Sequence, residues 1–313
     1  MGMQDSVSLV LRIAVLVGLL FALLVVLTYT GIVKCSALPG WCSVYWTIFG
    51  QPKILIVYGN SGLGNPELLR DIIADPITGT GIRPVMMHIS RIGLGNLNQF
   101  DLVIVERCRK MSSRQIKMFV DYALAGKRLI WTGDAGVEVS NEKELVYKDE
   151  IDENAEHIPL NPWIRKLDSE YIFLDELLGV RYIGNFCNLK NCPQGEAISV
   201  GLLVPESTRE HPLIKGLATN LSLYIFPNED FAVVELLANV PTNVVLSLDF
   251  GSNLILQSGR ELGNSVPLIV TSGIGERVAY YAMPPEMFAN PKLEEEKRYY
   301  SIPLKMIKGM ISG

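Results

Sequence analysis

Histidine is nearly absent from this chain: three in 313 residues, His88, His157 and His211, far apart in sequence. Cysteine is scarce as well, and none of the five stands in a Cys-x-x-Cys pair. A zinc site of paired thiolates and imidazoles is therefore not expected, and no metal or organic cofactor is implied. Basic charge is not in excess, with 28 Lys and Arg against 33 Asp and Glu and a net charge of −5. Neutralising phosphates needs a basic face, so nucleic acid is not an expected partner. Collagen, heptad and solenoid periods are missing. So is the Gly-x-Ser-x-Gly elbow of serine hydrolases. Gly59-Asn60-Ser61-Gly62-Leu63-Gly64 does not follow the Gly-x-Gly-x-x-Gly dinucleotide pattern, and a tight turn is its plainer reading.

Apolar residues are plentiful, at 49% of the chain, with the longest run near the start. Ile13 to Val33 is 21 residues without a charge, bracketed by Arg12 and Lys34. At 1.5 Å per residue such a helix spans about 30 Å, one hydrocarbon core. The run is longer than the apolar stretch of a cleaved signal peptide, which supports a retained single-pass anchor over residues 1–34. A cleavage after Ser36 is the competing reading. Cys35 and Cys42 bracket a short turn-forming loop, and Cys187 and Cys192 bracket another. Two local disulfides of that kind suit an oxidising compartment. The expected topology puts the N-terminus in the cytoplasm and the main domain outside the cell membrane, with Trp41, Tyr45, Trp46 and Phe49 at the outer interface. A cytosolic-facing domain with reduced cysteines is the alternative.

Residues 35–52 read as a juxtamembrane linker and 53–313 as one α/β domain. Short apolar runs at 53–58, 83–89, 101–105 and 127–131 read as strands buried on both faces. Between them, Asn65-Pro66-Glu67 opens a helix, and Ser112 or Ser113 caps another that runs to Leu124 and stops at Gly126. Such alternation implies a parallel sheet covered on both sides. Glu142 to Glu156 carries seven acids against two lysines and reads as a solvated insertion. A cation site of His157 with Asp152, Glu153 and Glu156 is the sharper, less favoured reading. Ser169–Leu178 is expected to be a short helix. Strands follow at 196–204, 222–226, 231–238, 244–248, 266–271 and 277–282, added to one edge of the same sheet, before a helix from Pro303.

Four segments, KILIVYG, the stretch from Asn98 to Gly136, HPLIKGL and PLIVTSGIGERVAYYAM, resemble the class I glutamine amidotransferase-like superfamily, and within it the ThuA-like and membrane-associated branches. The resemblance implies a flavodoxin-like or amidotransferase-like sandwich. That fold carries its nucleophile on a Gly-x-Cys-x-Gly elbow, with a His-x-Glu pair further on. Here the elbow reads Thr132-Gly133-Asp134-Ala135-Gly136, and His211 is followed by Pro212 and Leu213. Without a thiolate, glutaminase chemistry does not carry over.

Ligands of open α/β sheets bind at the carboxyl ends of the strands. The candidate pocket there comprises Asn60, Ser61, Glu106, Arg107, Gly133 and Asp134, with no catalytic residue assigned. Asp134 reads first as the N-cap of a helix after the elbow, and otherwise as a nucleophile or ligand. The expectation is a membrane-anchored, non-catalytic binding, scaffold or sensor module of an envelope complex, whose partner is a protein or a small ligand. The alternative is an extracytoplasmic hydrolase that uses Asp134 or Glu106 on a carbohydrate-like substrate or with a metal.

Overall fold

The computed structural model describes residues 2–29, 33, 38, 40–76, 80–190, 192, 195–206, 211–217, 221–256, 259–289 and 301–311. Two compact units divide the chain, with a first unit over 1–51 and a second over 52–311.

In the first unit, helix α1 (Gly2–Tyr29) holds an apolar stretch, Val10–Tyr29, long enough to cross a membrane. A nine-residue helix, α2 (Trp41–Phe49), occupies part of what the sequence reads as linker. The proposed partner Cys35 lies outside the described residues, as does the side chain of Cys42.

The second unit begins with β1 (Ile54–Ser61), α3 (Pro66–Ala74), β2 (Val85–His88), α4 (Leu94–Leu97), β3 (Leu102–Cys108) and β4 (Lys110–Met111). Next come α5 (Ser113–Leu124), β5 (Arg128–Thr132), β6 (Glu138–Val139), β7 (Ile164–Leu167), β8 (Glu170–Phe173), α6 (Leu174–Leu178), β9 (Val180–Asn185) and α7 (Phe186–Lys190). The chain closes with β10 (Ile198–Pro205), β11 (Ser222–Ile225), β12 (Ala232–Leu236), β13 (Thr242–Asp249), β14 (Ser265–Ser272), β15 (Val278–Tyr281) and α8 (Ser301–Ile311).

Nine strands form the central sheet in the order β11-β10-β13-β14-β15-β5-β3-β1-β2. The run from β2 to β15 is parallel, and β14, β13, β10 and β11 join antiparallel. Ile54–Val57, Leu102–Val105 and Leu129–Trp131 are all buried, as continuous apolar runs between helical layers must be. Local signals set the helix starts. The Asn65 side chain accepts the Leu68 N–H with Pro66 in the first turn, and Ser112 and Gln115 close a reciprocal capping box on α5.

Two expectations need correction. Residues 169–178 are half strand: β8 pairs with β7 before α6 begins at Leu174. Residues 231–238 give β12, which leaves the main sheet and pairs with β9 instead. Both pairings are set by distant partners rather than by local pattern.

Candidate functional site

The carboxyl ends of β1, β3 and β5 meet over two buried acids. The first is Asp134, in the turn that follows β5. Its Oδ1 accepts the Leu63 N–H at 2.8 Å. Its Oδ2 accepts from Arg109 Nη1 and from Asn185 Nδ2, each at 3.1 Å. Arg109 also donates through Nε to Glu138 at 2.6 Å, and the Tyr182 hydroxyl donates to Asn185 Oδ1 at 2.8 Å. The side chain of Asp134 is 1% exposed and that of Arg109 31%, so a half-shielded cation faces a fully shielded anion.

No helix follows Asp134: residues 133–136 form a turn, and the cap expected there is not made. The carboxylate instead ties three distant segments together. The turn itself is held by side chains from all around it. Tyr280 donates to the Gly133 carbonyl, Trp131 and Trp163 both donate to that of Ala135, and Arg165 to that of Gly136. Gly133 takes φ +53 against Leu63.

The second acid is Glu106 at the end of β3, 0% exposed, beside Glu286, 1% exposed. Glu286 accepts the Asn65 N–H at 2.7 Å. Among the described residues no donor makes a hydrogen bond of ordinary geometry to either Glu106 oxygen, although the nearby Asn65 N–H eases its charge and the Glu286 carboxyl lies against it. Two shielded carboxyls side by side cannot both ionise, so a proton shared between them is the partner that Glu106 requires. Burial first, then the Glu286 charge, pushes Glu106 well above the usual carboxylate range. Burial pushes Glu286 up to about 7. Glu67 on α3 and Glu229 add like charge from further off.

These two acids account for the glycines of the preceding loop. A Cβ on Gly62 would stand 3.0 Å from Asp134 Oδ1, and one on Gly64 would overlap the Glu106 carboxyl. The loop lies directly on the acids, and only glycine permits that approach at φ +117 and +113. The first turn of α3, a possible anion seat, receives the protein's own Asn65 and Glu286 side chains.

The other expected site residues scatter. Arg107 is exposed, at φ +53. Ser61 is exposed at the end of β1. Asn60 turns to the sheet edge, where its Oδ1 meets His88 Nε2 at 3.1 Å, while His88 Nδ1 meets Ser90 Oγ at 2.8 Å. A cavity of about 500 Å³ opens there, lined by Tyr58, Met86, Met87, His88, Arg91 and Asn96 among others. A larger one of about 800 Å³ lies beside the Cys187–Cys192 disulfide, against Phe226, Glu229 and Asp230. Cys108 is a buried free thiol. His157 pairs with Asp149 and stacks on Tyr147. Among the described residues no group of three or more His, Cys, Asp or Glu is arranged to hold a metal ion. Asn220, the acceptor of a glycosylation sequon, lies outside the described residues.

Arg109, Tyr182, Asn185 and Glu286 were not singled out from the sequence. Arg109 stands in the Glu-Arg-Cys-Arg run that ends β3 and was within reach. The others arrive from distant segments without a local signature.

No family model matches the chain, and no curated protein matches it. Among solved structures it is similar to a ThuA-like protein from Bacteroides uniformis, at 14% identity and a TM-score of 0.46, over 82% of this chain and 89% of that one. It is similar to the mmIFT52 N-terminal domain at 12% identity and 0.45, over 81% and 99%. It is also similar to the β-galactosidase from Rahnella sp. R3, at 12% and 0.45, over 87% of this chain but 33% of that one. At such identities the functional reading rests on the residues.

Proposed function

We propose that the second unit is a non-catalytic binding module, held at a membrane by α1 and acting as a scaffold or sensor. Asp134 carries this reading. It occupies the elbow where the resembling enzymes keep a nucleophile, yet both its oxygens are consumed by Leu63, Arg109 and Asn185. A carboxylate that is 1% exposed and holds three donors is out of a substrate's reach and acts as a keystone of the sheet edge. The parallel half, with β1 between β2 and β3, suits the flavodoxin-like or amidotransferase-like sandwich. Ligand recognition then falls to the cavity lined by His88, whose ring Asn60 holds, rather than to the elbow.

The Cys187–Cys192 bond supports an extracytoplasmic position, since such bonds persist in oxidising compartments. Retention of the anchor is supported by contacts that cross the conceivable cleavage point: Trp41 donates to Thr28 at 2.9 Å and packs edge-on against Phe21.

One observation favours the hydrolase alternative: a protonated carboxyl at a strand end is what a general acid requires. Glu106 and Glu286 are, however, shielded from any substrate-sized molecule. The test is turnover of chromogenic glycoside, ester and amide substrates by the full chain and by Asp134→Asn and Glu106→Gln. No turnover dependent on either residue is expected. An activity that both substitutions abolish in folded protein would overturn the module reading.

A further inference from the structure

Between Lys34 and Lys53 the chain carries no charged side chain, although four of its residues are aromatic: Trp41, Tyr45, Trp46 and Phe49. Helix α2 makes the middle of this stretch. One side of it lies on the end of α1. Trp41 is 8% exposed, its ring 5.4 Å from that of Phe21, and its indole N–H donates to Thr28 Oγ1. The Thr28 hydroxyl in turn donates to the Leu24 carbonyl at 2.8 Å, which leaves that polar pair satisfied without water. Phe49 stacks on Tyr45 and approaches Tyr29. Along α1, residues 10–23 are exposed throughout, whereas Leu24, Val25, Leu27 and Thr28 are partly or fully covered. Cover thus begins only in the last two turns.

Bare apolar side chains remain along α2. Val44 and Ile48, one turn apart, are 44% and 53% exposed, and Phe49 is 50% exposed. A nine-residue helix without a charged side chain, with Ser43 and Thr47 as its small polar residues, has little to give to water. Val44 and Ile48 stand three and seven residues on from Trp41, hence on the face of α2 that meets α1, beside the exposed apolar stretch Val10–Tyr29 that would face lipid. Aromatic side chains favour the depth at which acyl chains meet headgroups, and the last turns of a spanning helix lie at that depth.

We propose that α2 is a second membrane-seated element, inserted in the leaflet that holds the C-terminal end of α1, with Val44, Ile48 and Phe49 against acyl chains. Its occupant is lipid. Trp41 and Thr28 form the polar clasp that holds it to α1 within the bilayer. This inference rests on the reading of α1 as a retained anchor.

The test uses the full chain in phosphatidylcholine vesicles whose acyl chains carry bromine, which quenches tryptophan on contact. Trp131 and Trp163 are fully buried in the second unit and supply the unquenched background. Quenching of the wild-type chain is expected, with most of it lost in Trp41→Phe/Trp46→Phe. A Val44→Asp/Ile48→Asp chain is expected to lose quenching while still pelleting with carbonate-washed vesicles, because α1 is intact. Wild-type quenching no greater than that of the double phenylalanine chain, in protein retained after carbonate, would overturn the proposal and leave the anchor standing. So would quenching that survives both aspartates. Release of the wild-type chain by carbonate would remove the anchor itself, and the seat of α2 with it.

Discussion

At Asp134 shape and charge make separate demands. An asparagine keeps the oxygen that receives the Leu63 N–H, but it turns an N–H₂ toward Arg109 and Asn185, which are themselves donors. Asp134→Asn is therefore expected to destabilise by about 1 kcal/mol and Asp134→Ala by about 2 kcal/mol, because each removes the oxygen to which Arg109 and Asn185 donate while Arg109 keeps Glu138. Urea unfolding reports this directly, since Trp131 and Trp163 both donate to the adjacent Ala135 carbonyl. An unfolding midpoint unchanged in Asp134→Asn would show that the three-donor arrangement is not made. Glu106 and Glu286 behave in the opposite sense. Unfolded, each loses its proton near the ordinary glutamate value of about 4.3. Folded, the pair keeps protons to higher pH, to about 7 for Glu286. The native state then binds more protons between those values, so stability should fall as pH climbs through the window. Asp175, raised by burial to about 6, adds a slope of the same sign. Glu106→Gln supplies a permanent N–H donor toward Glu286. It should flatten most of the decline and melt above wild type at pH 8 but not at pH 5, in thermal scans at both values.

Helix caps and glycine turns lie within a few residues of what they serve, and these were legible. Asn65 with Pro66 and the Gly126 stop stand where sequence reading puts them, and of the two serines offered as the cap of α5 it is Ser112. Ser112→Ala should accordingly cost about 1 kcal/mol, seen as a lower melting temperature with an unchanged fold. The candidate site was legible only in its scaffold. Glu106 and Asp134 stand at strand ends as expected, but what they do is decided by Asn185 on β9 and by Glu286 near the chain's end. A carboxylate that caps and a carboxylate that clasps look alike in a linear string. For the same reason the departure of β12 to pair with β9 could not be read from its own residues. The disulfide belongs at this scale too. Cys187 and Cys192, Cα atoms 4.8 Å apart, close a small loop behind α7. Replacing both with serine should cost on the order of 2 kcal/mol in the loop-entropy picture. In the native chain they should take up alkylating reagent only after reduction. Cys108, whose thiol burial pushes well up, should react only on unfolding.

For the whole chain, α1 holds some 20 apolar residues, enough to cross a membrane, and a retained anchor of that length is not released by salt. The full chain should stay in the pellet after carbonate, and a chain beginning near Gln51 should not; finding both in the supernatant would dispose of the anchor. The sheet carries a kinetic consequence. Strand β15, from residues 278–281, sits between β5 and β14, and β5 is its parallel neighbour. During synthesis β5 therefore waits with one hydrogen-bonding edge bare until nearly the whole second unit has emerged. Late, non-local pairing of this kind slows folding, and an unpaired apolar edge recruits other chains meanwhile. The vulnerable period of this protein is thus its own birth, and a holding factor active during synthesis should affect its yield more than its final stability.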